Sequence, residues 1–174
     1  GTLFDVNSAA EKCKDKIGDK WEGFANYWRT TQLEYTWLRS LMKRHKNFWQ
    51  ITEDSLDKSM KAYEIDPSMK NELLDLYKIL SPFKEVPGVL KSLKEKGFKL
   101  AILSNGTPAL LNELVKSNNL ENLFDDLFSI EEVGIYKPDS KVYDIPVKKY
   151  QIHKNEVAFL SANTWDVSGG GNYG

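Results

Sequence analysis

An apolar segment that ends abruptly in polar residues most constrains what this chain can fold into. The run from Leu100 to Leu103 is followed by Ser104, Asn105 and a glycine, and then by Thr107 and Pro108. A short apolar run without alternation is typical of a strand covered on both faces, as in a parallel sheet. Thr107 can cap a following helix, and Pro108 suits its first turn. We therefore expect Ser104 and Asn105 at the carboxyl end of a parallel strand, where open α/β sheets bind small molecules.

The composition is ordinary for a globular protein and shows no charge imbalance. Of the 174 residues, 41% are hydrophobic and 28% charged, and the net charge is −1. We therefore expect neither nucleic acid nor a membrane surface as a partner. Cys13 is the single cysteine, which excludes an intramolecular disulfide and a cysteine-based metal site. No apolar stretch reaches the length of a membrane span and no signal-peptide pattern opens the sequence, so we expect a cytoplasmic protein.

The first half of the sequence predicts helices, and the second half alternates helices with strands. Predicted helices cover about 7–17, 22–44, 52–65, 69–79, 87–96, 107–118 and 138–150, and predicted strands cover 98–103, 127–130 and 157–160. Alternating strands and helices imply right-handed crossovers and a parallel sheet. We predict an α/β fold with a Rossmann-like parallel-sheet core, residues 1–6 and 83–174, and an inserted helical cap subdomain, residues 7–82.

Both ends of the sequence suggest truncation. Residues 1–6 resemble the loop that leaves a first strand, and no such strand precedes them. Residues 172–174 resemble the middle of a loop, so we expect the natural protein to continue on both sides. The glycine-rich run at 168–171 predicts a flexible segment.

Five segments carry a resemblance that spans nearly the whole sequence. They are GTLFDV (1–6), WR with QLEYTW (28–37), LSNG (103–106), YKPD with VY (136–143), and SAN with WD (161–166). In this order and spacing they resemble the L-2-haloacid dehalogenases, or haloacid dehalogenase type II, of the haloacid dehalogenase superfamily. The resemblance implies a hydrolase that converts short (S)-2-haloacids to (R)-2-hydroxyacids and halide through an aspartyl-ester intermediate.

The resemblance also implies a set of site residues. The family's nucleophile is an aspartate three residues before the Gly-Thr pair, a position that lies ahead of Gly1. Positions that match the family's catalytic residues are Thr2, Arg29, Ser104, Lys137, Tyr143, Ser161, Asn163 and Asp166. Positions that match its substrate and halide pocket are Arg29, Leu33, Phe48, Ser104, Asn105 and Trp165.

The proposed chemistry gives a physical reason for several of these residues. Lys137 would keep a nucleophilic carboxylate ionised, since a nearby opposite charge favours the charged form. Arg29 would stabilise the negative charge that develops on the departing halide. Ser104 would donate to the substrate carboxylate. Asp166 could orient the hydrolytic water together with Asn163, or it could pair with Lys137, and the sequence leaves both roles open.

Position 162 bears on the metal question. Superfamily phosphatases usually carry an acidic metal ligand four residues before the last aspartate, and here that residue is Ala162. A single carboxylate is a poor magnesium site, so we predict no metal and no other cofactor. Two alternatives remain open. One is a magnesium-dependent phosphatase of the same superfamily, and the other is a catalytically incomplete fragment or binding protein, because the nucleophile is not among these residues.

The expected partners are a small 2-haloacid, the halide that it releases and a second copy of the chain. The apolar stripe formed by Tyr35, Leu38, Leu41 and Met42 predicts either core or a subunit interface. Members of the family are commonly homodimers through this helical region, so the resemblance implies a homodimer.

Overall fold

Helices dominate the chain, and two short strands form its sheet. The computed structural model describes residues 1–174. The elements are α1 (Ser8–Lys12), α2 (Lys14–Ile17), α3 (Trp21–Leu41), α4 (Phe48–Ala62), α5 (Lys70–Lys78), α6 (Val86–Glu95), β1 (Ala101–Ser104), α7 (Pro108–Ser117), β2 (Asp126–Ser129), α8 (Ser140–Tyr150) and α9 (Thr164–Tyr173). Single 3₁₀ turns lie at Gly18–Lys20, Pro67–Met69, Glu121–Leu123, Ile130–Glu132 and Lys154–Glu156.

The sheet confirms the central sequence prediction. Strands β1 and β2 pair in parallel, with Ala101 opposite Asp126 and Ser104 opposite Ser129. The Thr107 hydroxyl accepts the Leu110 N–H at 3.3 Å and caps α7. The polar residues after β1 therefore lie at the carboxyl end of a parallel strand, as the sequence predicted.

Strand β1 is less covered than the sequence predicted. Ile102 is buried, whereas Leu103 and Ser104 are half-buried and Ala101 is exposed. The sheet has only two strands, so β1 has a hydrogen-bonded neighbour, β2, on one side and an open edge on the other.

The predicted strand at 157–160 is wrong. No residue of this segment joins a strand, and Phe159 and Leu160 are exposed. Apolar composition favours an extended backbone, but a strand also requires a partner for its N–H and C=O groups. The backbone of 157–160 forms a single hydrogen bond, from the Val157 N–H to the Lys154 carbonyl within a turn, and none to another strand.

Several helix boundaries differ from the prediction for local reasons. Helix α4 begins at Phe48, four residues before the predicted start, because the Asn47 side chain accepts the Gln50 N–H at 2.9 Å. The predicted helix over 7–17 is interrupted at Cys13, which separates α1 from α2. Helix α3 ends at Leu41, three residues before the predicted end.

One buried apolar cluster joins the helical first half to the sheet. It contains 24 buried residues, most of them from helices α1 to α5, from α7 and α8, and from β2. Among them Phe24 and Leu56 come from the helical half, while Ile130 and Tyr136 follow β2. The side chains at the carboxyl end of the sheet are therefore held against the helices α3 and α4. None of the helices combines the length and the apolar character needed to cross a bilayer.

Candidate active site

The carboxyl ends of the two strands are joined by side-chain hydrogen bonds. Ser104 Oγ accepts the Gly106 N–H at 3.0 Å, and Ser129 Oγ donates to the Gly106 carbonyl at 2.7 Å. Asn105 Oδ1 accepts the backbone N–H of Lys137 at 3.3 Å. These contacts bring the loop after β2 against the end of β1, so that the backbone of Lys137 lies beside Asn105.

Lys137 carries a buried charge. Its side chain and that of Asp166 are each 6% exposed, and Nζ lies 3.0 Å from Asp166 Oδ2. The ammonium group also lies over the rings of Phe159 and Tyr143, at 5.0 and 5.7 Å from their centroids. Burial lowers the pKa of Lys137 below its ordinary value of 10.5, and the nearby Asp166 carboxylate opposes that shift.

The Asp166 carboxylate is held from three sides. Besides Lys137, the Ser161 hydroxyl donates to Oδ2 at 2.9 Å and the Tyr143 hydroxyl donates to Oδ1 at 2.7 Å. Burial, together with the bond to Asp166, raises the pKa of Tyr143, so this phenol stays a neutral donor. Of the two roles left open for Asp166 by the sequence, the geometry is that of pairing with Lys137.

Helix α9 approaches this cluster closely because it is rich in glycine. A Cβ on Gly169 would lie 2.6 Å from Pro138 Cβ and closer still to the Tyr143 hydroxyl, and a Cβ on Gly170 would lie 2.8 Å from the Phe159 ring. The predicted loop at 172–174 is wrong, since α9 continues to Tyr173, and the run at 168–171 lies within this helix. Gly169 and Gly170 allow the helix to pack where a side chain would collide.

The amino-terminal segment completes one side of the cluster. Thr2 Oγ1 accepts the Ala162 N–H at 3.0 Å and lies 3.5 Å from Ser161 Oγ. The Asn163 N–H donates to Ser161 Oγ at 3.2 Å. Asn163 occupies the cap position of α9, but its side chain makes no capping hydrogen bond. The amide group of Asn163 is thus left for other contacts.

Arg29 reaches the same region from helix α3. Its Nη1 donates to Gln32 Oε1 at 2.7 Å, and it forms no salt bridge. The charge of the Arg29 guanidinium acts at the Gly1 nitrogen, so it lies near Gly1, the residue directly before Thr2.

The predicted pocket residues vary in how closely they join this site. Phe48 is buried at the start of α4 and packs against Tyr136, with ring centroids 6.4 Å apart. Trp165 packs edge-on against Trp37 of α3, with centroids 5.5 Å apart. Leu33 is half-buried one turn beyond Arg29, and its place in the pocket stays a prediction.

Tyr136 fastens the loop that carries Lys137 to the end of α3 and to the connection between α3 and α4. Its hydroxyl donates to the Lys46 carbonyl, and its backbone N–H donates to Ser40 Oγ at 3.2 Å. The residue next to Lys137 in the chain is thereby tied to the helical half at two points.

The side chains present do not form a magnesium site. No group of three or more His, Cys, Asp or Glu side chains converges anywhere in the chain. Asp166 already pairs with a cation, and Ala162 offers no side-chain oxygen. These donors do not suit a small ion that requires six oxygens in an octahedron.

Sequence reasoning missed four residues that support the site. These are Gln32, Thr52 and Tyr77, which form a polar cluster behind Arg29, and Phe159, whose ring lies under the Lys137 ammonium. Gln32 follows Arg29 by three residues, a spacing that places side chains side by side on a helix, so that signal was available. The other three depend on tertiary contacts and had no local signal.

The fold and the site define an α/β enzyme with its polar groups at the carboxyl end of a parallel sheet. A family model described as haloacid dehalogenase-like hydrolase matches residues 1–174. The chain belongs to this family of hydrolases.

Individual relatives cover the whole chain at appreciable identity. The (S)-2-haloacid dehalogenase of Pseudomonas sp. (strain YL) is 41% identical over 176 residues, which span 100% of this chain and 76% of that protein. A crystal structure of a dehalogenase superposes with a TM-score of 0.98 at 36% identity, covering 100% of this chain and 78% of the other. The L-2-haloacid dehalogenase of Xanthobacter autotrophicus, solved with chloropropionic acid covalently bound, has a TM-score of 0.92 at 34% identity, covering 100% and 71%.

Proposed function

We propose that this protein hydrolyses short (S)-2-haloacids to (R)-2-hydroxyacids and halide. The observation that carries the proposal is the buried Lys137 ammonium at the carboxyl end of the sheet, 3.0 Å from Asp166, which Ser161 links to Thr2. A buried cation at this point suits a reaction whose nucleophile is a carboxylate. Relatives named as (S)-2-haloacid dehalogenases, and a related structure with covalently bound chloropropionic acid, support this choice of substrate.

The first step displaces the halide. A carboxylate oxygen attacks C2 of the substrate from the side opposite the halogen, so the C–O bond of an ester forms while the carbon–halogen bond breaks with its electron pair on the halide. The nucleophile is the aspartate that the resemblance places three positions ahead of Gly1. Lys137 keeps it ionised, and Arg29 stabilises the negative charge that grows on the halide. Ser104 and Asn105 bind the substrate carboxylate from the end of β1.

The second step returns the enzyme to its starting state. Water attacks the carbonyl carbon of the ester, which releases the hydroxyacid with inverted configuration at C2 and restores the carboxylate. Asn163 has an amide without a capping bond, so it can position this water. Asp166 acts through Lys137 and Tyr143, whose orientation it fixes. Phe48 and Trp165 enclose the alkyl part of the substrate and exclude bulk water.

The site lies between a core, residues 1–6 and 83–174, and a helical cap, residues 7–82. The division is supported by the origin of the side chains, since Arg29 and Phe48 come from the helices whereas Lys137 and Asp166 come from the α/β part. The bond from the Phe48 N–H to Glu131 Oε1, at 3.1 Å, is one of the contacts across that boundary.

The active form is a homodimer that pairs through helix α3. The supporting observation is the exposed apolar group at its end, where Leu38, Leu41 and Met42 are 50%, 79% and 56% exposed. In a single chain this stripe is therefore surface and not core. Neighbouring apolar side chains left in water favour association.

Halide release by the full-length protein tests the activity. We expect chloride or bromide from (S)-2-halopropionates but not from the (R) enantiomers, measured with an ion-selective electrode, and (R)-lactate as the product on chiral chromatography. In a single turnover in ¹⁸O-labelled water the lactate hydroxyl should stay unlabelled, because its oxygen comes from the enzyme carboxylate. Chelator should leave the rate unchanged, as expected if no metal takes part.

Matched lysine variants separate the site from general effects. Lys137→Met should abolish turnover, while Lys141→Met, at an exposed position four residues further on in the first turn of α8, should retain it. Absence of halide release from every 2-haloacid would refute the proposal. Magnesium-dependent hydrolysis of a phosphate ester such as p-nitrophenyl phosphate would favour the phosphatase instead.

A further inference from the structure

We infer that Gln32, held by Tyr77 and Thr52, is a positioning residue that aims Arg29 at the departing halide. The inference rests on the proposed function, because it gives a further residue for the same reaction. It is carried by a hydrogen-bonded cluster that links Gln32 Oε1 to Arg29 Nη1 at 2.7 Å, Gln32 Nε2 to Thr52 Oγ1 at 2.8 Å and Gln32 Nε2 to the Tyr77 hydroxyl at 3.0 Å.

The cluster is buried between helices α3, α4 and α5. Gln32 is 1% exposed, Thr52 0% and Tyr77 4%. Burying an amide among apolar side chains is costly unless its donors and acceptor are all satisfied. Here both ends of the amide have partners, and the oxygen faces the one guanidinium group in the cluster. An apolar residue would serve the packing of these helices better, so the amide calls for a reason beyond packing.

The direction of the amide is fixed by its neighbours. Thr52 Oγ1 donates its single hydrogen to the Phe48 carbonyl at 2.8 Å, so it can only accept from Gln32. The NH₂ end of Gln32 must therefore face Thr52, and the oxygen must face Arg29. The Tyr77 hydroxyl lies 3.2 Å from the same oxygen and 3.0 Å from Nε2, which braces the amide from the α5 side.

A neutral acceptor suits this task better than a carboxylate would. Arg29 has no ion-pair partner, so its full positive charge remains for an anion, whereas an aspartate or glutamate in place of Gln32 would neutralise part of it. The arginine side chain has several rotatable bonds, and a fixed acceptor limits the rotamers it samples before the reaction. The same cluster holds the first turn of α4, because Thr52 bonds to the Phe48 carbonyl. Arg29, which would bind the halide, and Phe48, which would line the pocket, are therefore supported by the same buried cluster.

The test compares leaving groups in the full-length enzyme. Gln32→Met keeps the length of the side chain but removes the acceptor. Chloride leaves carbon less readily than bromide. If Arg29 no longer points at the halide, chloride release should therefore slow more than bromide release. We expect kcat/KM for 2-chloropropionate to fall about 10- to 100-fold, and the ratio of kcat/KM for 2-bromopropionate over 2-chloropropionate to rise by about fivefold or more. The inhibition constant of free bromide ion should rise in parallel.

Two further variants keep the inference falsifiable. Tyr77→Phe removes one brace of the amide without touching Arg29, and it should raise the bromide-to-chloride ratio in the same direction by about twofold. If Gln32→Met does not fold, this variant decides alone. Ser59→Ala is the matched control, because Ser59 is also fully buried on α4 but bonds only to the Ser55 carbonyl at 2.7 Å. It should lower the melting temperature without changing the ratio.

Each outcome discriminates between the claims. A wild-type enzyme that releases halide, with a bromide-to-chloride ratio unchanged in the folded Gln32→Met or Tyr77→Phe protein, overturns the inference and leaves the proposed function standing. A wild-type protein without halide release overturns both. A raised ratio in the Gln32 and Tyr77 variants, with an unchanged ratio in Ser59→Ala, supports the inference.

Discussion

Replacing Asp166 with asparagine isolates the contribution of the buried ion pair. The substitution keeps the shape of the side chain but removes the charge that faces Lys137 Nζ at 3.0 Å. One amide oxygen can still accept from Tyr143, in place of the carboxylate oxygen now 2.7 Å away. The amide NH₂ group would then face the ammonium group, so Lys137 loses its acceptor and its counter-charge together.

Two estimates of the stability that Asp166→Asn loses agree with each other. Removing one partner of a buried pair costs about 3–5 kcal/mol. Alternatively Lys137 can lose its proton, which at pH 7 costs about 5 kcal/mol for a lysine with an ordinary pKa of 10.5, at about 1.4 kcal/mol per pH unit. The free energy of unfolding should therefore fall by about 3–5 kcal/mol, which for a chain of this size lowers the melting temperature by roughly 6–20 °C.

The pH dependence has a definite sign. Burial already lowers the pKa of Lys137 in the folded protein, and the variant lacks the carboxylate that opposes this shift. Between the folded pKa and 10.5 the unfolded chain binds more protons than the folded one, so stability rises with pH in that window. The deficit of Asp166→Asn relative to wild type should shrink between pH 7 and pH 10. The alkaline loss of dehalogenase activity, which requires charged Lys137, should begin at a lower pH in the variant.

Urea unfolding at several pH values measures these quantities. The double variant Asp166→Asn with Lys137→Met serves as the control, since it removes the stranded charge and should recover much of the lost stability. Loss of less than about 1 kcal/mol in Asp166→Asn, or a deficit that is the same at pH 7 and pH 10, would show that the pair does not carry the assigned role.

Two further predictions concern packing and assembly. Gly169→Ala should lower the free energy of unfolding by about 1–3 kcal/mol because its Cβ would lie 2.6 Å from Pro138 Cβ, whereas Gly171→Ala, with no atom within 4 Å, should raise it by about 0.5–1 kcal/mol in thermal or urea unfolding. An equal response at both positions would contradict the close packing of α9. Leu41→Asp should convert the proposed dimer to a monomer in sedimentation experiments without lowering the melting temperature of the monomer, since this side chain is 79% exposed in the single chain. A dimer that survives this change would place the interface elsewhere.

Local patterns predicted the parts of the site that depend on neighbours in sequence. The apolar run ending at Ser104 and the cap at Thr107 set a strand end and a helix start within eight residues, and both are present in the structure. A similar apolar run at 157–160 gave a wrong strand, because strand formation depends on a hydrogen-bonded neighbour that composition does not reveal.

Long-range contacts were beyond what patterns could decide. Lys137 and Asp166 are 29 residues apart in sequence, so their pairing was one of two open roles until the fold brought them to 3.0 Å. The glycines of α9 indicated flexibility by composition, whereas Gly169 in fact meets the Tyr143 hydroxyl. Family resemblance placed the site residues by position, but their mutual geometry required the three-dimensional structure.

The double attachment of Tyr136 has a mechanical consequence. Because its hydroxyl bonds to the Lys46 carbonyl and its N–H bonds to Ser40 Oγ, the end of α3 and the residues after it are tied to the peptide that precedes Lys137. Any swing of the helices large enough to admit a substrate must either carry the ammonium group with it or break both bonds first. If the substrate instead enters after a small rearrangement of side chains around the pocket, the Tyr136 bonds stay intact. The Lys137–Asp166 ion pair then keeps its position while the substrate enters.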